Sequence, residues 1–109
     1  MKLGAILSVL WLVSVLAAAV AYPGEQSLGA TLADKEGCYE CHAVGRTVVG
    51  PAFTQIAAKY RFDPSAKQTL ADVIRLGGRG HWGERFNMWP HGDLTDTQAE
   101  ALAEWVLEQ

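Results

Sequence analysis

Positive charge is scarce in this chain: 9 Lys and Arg stand against 12 Asp and Glu, a formal net charge of −3. A nucleic-acid binder needs a basic face, so that class is excluded. No stretch alternates apolar and polar residues in a convincing strand run, which predicts a chain without a sheet and argues against a fold of alternating strands and helices. Internal repeats and low-complexity tracts are absent as well. Cysteine is limited to two residues, and both fall within one run of five.

What is present begins at the N-terminus. Lys2 supplies a positive end, Leu3 to Ala18 is an apolar stretch without charge, and Ala19-Val20-Ala21 is a small-x-small cleavage site before Tyr22. Residues 1–21 are therefore expected to be a cleavable secretory signal peptide, and residues 22–109 a single mature domain with no membrane span. If cleavage fails, residues 3–20 approach the roughly 18 to 20 residues that span a bilayer and would act as an anchor. Both outcomes put the folded part outside the cytoplasm, in the periplasm. Cleavage also removes Lys2, leaving a net charge of −4 on 88 residues. So small a domain commonly needs a staple beyond its core.

Four helices are predicted in the mature chain. Ser27 caps the first, from about Leu28 to Glu36, with Gly37 ending it and Leu28 and Leu32 on its inner face. Gly50-Pro51 opens the second with Pro51 in the first helical position, and Phe53, Ile56, Ala57 and Tyr60 form its stripe. Ser65 and Gln68 make a capping box for the third, whose inner face is Leu70, Val73, Ile74 and Gly77. Thr95 and Gln98 make another for the last, with Ala99, Leu102, Trp105 and Val106 inward. Between the last two helices, Gly78 to Leu94 has no period and reads as a long functional loop. Charge is uneven: Arg75, Arg79 and Arg85 fall before residue 92, whereas residues 93–109 carry Asp96, Glu100, Glu104 and Glu108 at four-residue spacing, read as a solvated face.

The five-residue run is Cys38-Tyr39-Glu40-Cys41-His42, the pattern for covalent attachment of a c-type haem. Two thiols one turn apart can each add to a vinyl group on one porphyrin edge, and the next residue gives iron an imidazole. A thioredoxin-like dithiol would need a strand and helix alternation that is missing. A zinc site from Cys38, Cys41, His81 and His91 has a plausible ligand count, but the 39 residues between Cys41 and His81 fit no short finger spacing.

With haem as cofactor, the remaining questions concern the iron's axial partners. His42 needs an acceptor for its second ring nitrogen, and a carbonyl in Gly50-Pro51 is the candidate. For the far side, Met88 is the one methionine left after the leader, 46 residues past His42. A thioether there favours reduced iron, whereas His91 or His81 would make a bis-histidine site of lower potential. Trp82 is expected to donate its N–H to a haem propionate, and Trp89 to flank the same edge or simply to pack.

These residues together resemble the small bacterial class I monohaem cytochromes c that shuttle electrons in the periplasm to nitrite reductases and terminal oxidases. The likeness spans about Gly29 to Gln109, through Lys35-Glu36-Gly37-Cys38, Cys41-His42-Ala43, Val49-Gly50-Pro51-Ala52-Phe53, Ile56 to Tyr60, Gly80-His81-Trp82-Gly83 and Ala103 to Leu107. It implies an all-α class I cytochrome c fold, four helices around one covalently bound haem c, with the first and last helices crossing near the haem at Trp105. It also implies that the Pro51 carbonyl accepts from His42, that Met88 is the distal ligand and that Trp82 binds a propionate. The expected function is that of a monomeric, non-enzymatic electron carrier for a reductase, oxidase or dehydrogenase. Relatives usually have three residues between Trp-Gly and Met-Pro-Pro-Asn. Here four residues, Glu84 to Asn87, precede Met88-Trp89-Pro90-His91. A basic residue often found nine before the Trp is Val73, so Arg75, Arg79 or Arg85 is expected to neutralise the propionates. If the sixth position were open or histidine-bound, the alternatives would be ligand binding, sensing or peroxide chemistry. A dedicated subunit of a periplasmic dehydrogenase is a further alternative.

Overall fold

The computed structural model describes residues 26–109, so the expected leader, residues 1–21, lies outside the described residues. Those residues form four α-helices: α1 (Leu28–Lys35), α2 (Phe53–Tyr60), α3 (Ala66–Leu76) and α4 (Asp96–Leu107). Among the described residues no helix is long and apolar enough to cross a membrane.

Local chemistry accounts for most of the helix ends. The Ser27 hydroxyl accepts from the Ala30 amide at 3.2 Å and starts α1. Gly37, at φ 72°, then takes the left-handed turn that ends the segment. At α4 the capping box is complete: Thr95 Oγ1 accepts from the Gln98 amide at 3.2 Å, and Gln98 Oε1 accepts from the Thr95 amide at 2.9 Å.

Two expected starts differ. Ser65 makes no side-chain cap, because its backbone at φ −92° and ψ 0° lacks the extended conformation that aims a capping hydroxyl. Asp63 Oδ1 accepts from the Ser65 amide at 2.8 Å instead, and Gln68 turns outward to Asp72. Pro51 is not the first residue of α2 either; the extended Ala52 is its N-cap, and Gln55 Oε1 accepts from the Ala52 amide at 2.8 Å. That shift keeps the Pro51 carbonyl out of the helical ladder, which begins at the Ala52 carbonyl.

The expectation of no sheet is corrected too. Within the segment read as a loop, β1 (Gly78–Gly80) pairs antiparallel with β2 (Gly83–Met88), Gly78 facing Met88 and Arg79 facing Asn87. Glycines leave β1 without an apolar pattern to read, so the pairing has no period-2 signal in the sequence. The register puts Met88 beside the end of α3, where Gly78 packs.

α4 is the hub against which α1, α2 and α3 all pack. Its inner residues Ala99, Leu102, Ala103 and Val106 are buried against Leu32, Phe53, Ile56, Leu70 and Ile74. Leu28, expected inside, is half exposed, and Gly29 takes the contact position. There α1 crosses α4 so closely that a Cβ on Gly29 would lie 2.3 Å from Trp105 Cβ and 2.6 Å from the Ala101 carbonyl oxygen. Trp105 in turn sets its edge against Phe53, ring centroids 5.0 Å apart. Arg75 bridges α3 to α4 through the Leu94 carbonyl and the Asp96 carboxylate.

Gly29→Ala is expected to cost about 1–3 kcal/mol, the usual range for overpacking a tight contact. Gly45→Ala meets open space within 4 Å and should change stability by less than about 0.5 kcal/mol. Denaturant unfolding of the two holoprotein variants against wild type measures the contrast.

Candidate haem site

The Cys38-to-His42 run is a single tight turn. A 3₁₀ segment (Cys38–Glu40) places the Cys38 carbonyl where it accepts from both the Cys41 amide at 3.2 Å and the His42 amide at 2.9 Å. Both thiols are free, Cys38 half-buried and Cys41 exposed. Burial, and then the carboxylate of Glu36, pushes the Cys38 thiol up to about 11.

His42 is held from three sides. Its Nδ1 lies 2.6 Å from the Pro51 carbonyl oxygen, which makes Nδ1 the protonated nitrogen and Nε2 the free donor. Its ring stacks on Phe53 at 5.2 Å between centroids. Its other neighbour is the Gly50 backbone, so close that a Cβ there would sit 2.6 Å from His42 Cε1. The loop after the motif is tied down to make this possible: the Gly50 amide donates to the Cys41 carbonyl at 2.7 Å, and Phe53 and Thr54 amides donate to Ala43 and Val44.

Beside this turn opens a cavity of about 500 Å³. Its walls include Cys38, Cys41, His42, Pro51, Trp82 and Met88, so the structure brings every sequence-predicted site residue to one space. His81, His91 and Arg85 line it as well. Arg75 is engaged with Asp96 and the Leu94 carbonyl, and Arg79 is exposed on β1, which leaves Arg85 as the arginine at the cavity.

Some of the wall was missed by sequence reasoning. Val73, read as core of α3, turns toward the cavity, and Gly78 and Asn87 of the hairpin line it. Lys59 of α2 lies over the Trp82 ring, 4.5 Å from its centroid, and donates to the His81 carbonyl at 2.8 Å. Lys59 follows the Ile56 to Ala57 stripe on the polar side of its helix, so nothing in α2 alone pointed to Trp82.

The donor set fits a haem attached at two sulfurs. Two free thiols flank one turn, an imidazole with its Nδ1 engaged keeps Nε2 available, and Val49, Pro51, Val73 and Met88 supply apolar wall.

Comparison with known proteins agrees. The Cytochrome c family matches residues 26–109. Cytochrome c-552 of Nitrosomonas europaea is 41% identical over 97 residues, covering 89% of this chain and 93% of its own. Cytochrome c-551 of Allochromatium vinosum is 41% identical over 76 residues, covering 70% of this chain and 80% of its own. The crystal structure of wild-type Nitrosomonas europaea cytochrome c552 superposes with a TM-score of 0.68 at 44% identity, covering 72% of this chain and 96% of that one. With its fold, thiol pair and imidazole in the arrangement that a covalent haem c requires, the chain belongs to the cytochrome c family of haem electron-transfer proteins.

Proposed function

We propose that this chain is an exported one-electron carrier whose iron is held between His42 and Met88. Residues 1–21 would direct it to the periplasm, and residues 22–109 would form the monomeric carrier. The observation that carries the reading is the shared cavity, with His42 on the wall built by the haem-attachment turn and Met88 on the wall built by α3 and the hairpin.

Haem c supplies a reversible one-electron iron couple. The chain's part is to hold it in place and to set its potential. The Pro51 carbonyl fixes the His42 tautomer and makes Nε2 more basic, while Gly50 and Phe53 fix the plane of the ring. The Met88 thioether is soft and favours reduced iron. Trp82, partly buried at the cavity, would donate its indole N–H to a propionate, and Lys59 on its face adds positive charge nearby. His42 and Met88 would together hold the iron and leave no room for a substrate at the metal, which is the arrangement of a carrier rather than an enzyme.

Electrons would pass at the edge near Cys38 and the exposed Cys41 during brief encounters with a respiratory reductase or oxidase. The hairpin exposes Arg79 and Arg85 against Glu84 alone, whereas α4 and its C-cap expose Asp96, Glu104 and Glu108. This asymmetry gives the molecule a dipole that orients the encounter. Trp89, 82% exposed beside Met88, favours a second reading, stable docking as the cytochrome subunit of a dehydrogenase. Co-purification with such a partner selects between the two.

Replacing Met88 with Ala should abolish the weak sulfur-to-iron charge-transfer band of the ferric protein. It should also lower the midpoint potential by on the order of 100 mV, within the roughly 0.8 V that axial ligands command. An unchanged spectrum would remove Met88 from the iron. Stopped-flow transfer to the partner should slow as salt rises from about 10 mM to about 500 mM, as screening shortens from about 30 Å. A rate independent of ionic strength would contradict steering by the dipole.

A further inference from the structure

A second set of donors sits at the cavity wall, separate from the axial pair. Glu36 Oε2 and His91 Nδ1 are 3.3 Å apart, and the ligand atoms of Glu36, His91 and Asp93 all lie within 4.8 Å of one another. The backbone holds both contributing segments. Glu36 is the C-cap of α1, its amide donating to the Leu32 carbonyl at 2.8 Å. The His91 amide donates to the Ile74 carbonyl at 2.8 Å, and the Leu94 amide closes a turn on the His91 carbonyl that carries Asp93.

Two features of this cluster point to a cation. The Glu36 side chain is only 9% exposed, and a carboxylate taken out of water to that degree needs a positive partner. Its contact with His91, at 3.3 Å, is longer than the ~2.7–2.9 Å of a charge-assisted N–H···O bond. It matches the edge of a tetrahedron of donors about 2.0–2.1 Å from a central ion, which is about 3.3–3.4 Å. Asp93 is exposed, and its carboxylate already lies within 4.8 Å of the other two ligand atoms to offer the third position.

We propose that Glu36, His91 and Asp93 form a site for one divalent transition cation of the Zn²⁺ type, completed by water. One imidazole nitrogen and two carboxylate oxygens suit a borderline ion; Ca²⁺ and Mg²⁺ prefer oxygen-only shells with more ligands. Two carboxylates neutralise the ion's charge. Glu36 and His91 also line the haem cavity, so a bound cation cancels carboxylate charge at the cavity wall and thereby favours ferrous iron. Occupancy of the site therefore raises the potential of the carrier. The site rests on the proposed axial pair only in that His91 must not itself be the distal ligand, and the effect on potential requires only that the haem fill the cavity.

The test is titration of untagged, metal-stripped holoprotein with Zn²⁺, read by calorimetry, by thermal unfolding and by redox potentiometry. The expected result is one saturable site, a higher Tm and a higher midpoint on saturation. His91→Asn and Asp93→Asn should each weaken binding at least about ten-fold, the lower end of what losing even an outer partner costs. His81→Asn, at an exposed histidine of the cavity outside the cluster, should bind as wild type does. Absence of saturable binding, retention of wild-type affinity in both Asp93→Asn and His91→Asn, or its loss in His81→Asn would each overturn the site. Zn²⁺ binding that leaves the midpoint unmoved would overturn its coupling to the haem.

Discussion

The contact between His42 Nδ1 and the Pro51 carbonyl, 2.6 Å long, organises the half of the molecule that handles the metal. For that carbonyl to be available, it must not enter a helix. Starting α2 at Phe53 rather than at Pro51 achieves this, with extended Ala52 as the hinge between the two roles. The same contact requires the loop from Ala43 to Gly50 to return to the motif, and the Gly50 amide on the Cys41 carbonyl closes it. A side chain at position 50 would push the imidazole away, so the glycine follows from the bond.

The other half depends on how closely helices approach α4. Ala33, Ala71, Ala99 and Ala103 are small and fully or nearly fully buried, which lets three helices approach α4 closely between the larger core side chains. Gly29 against Trp105 is the limiting case. A core built this way is thin for a domain of this size, and the adjoining cavity accounts for the volume it does not fill. The covalently held macrocycle is in this sense a structural element, supplying apolar mass that the polypeptide lacks.

Helices with a cap and a stripe were legible in the sequence. Ser27 and the Thr95–Gln98 pair start their helices as expected, because each signal is local and nothing nearby competes. Ser65 failed because Asp63 took over the turn two residues earlier, and Pro51 shifted because its carbonyl serves a residue nine positions away. The hairpin was invisible since β1 is Gly-Arg-Gly, held by pairing and not by pattern. The residues that line the cavity were largely readable from the motif and the one methionine beyond the expected leader. Lys59 on Trp82 and Glu36 beside His91 were not, because each pair joins elements that only the tertiary fold brings together.

The raised Cys38 thiol bears on the order of maturation. A thiolate is the reactive form of cysteine, and at neutral pH a group titrating near 11 is ionised in only about one molecule in ten thousand. Once the pocket has closed on an unmodified cysteine, its sulfur is a poor nucleophile. Bond formation is thus favoured in an open polypeptide, before folding sequesters the sulfur, and the finished thioether has no proton to lose.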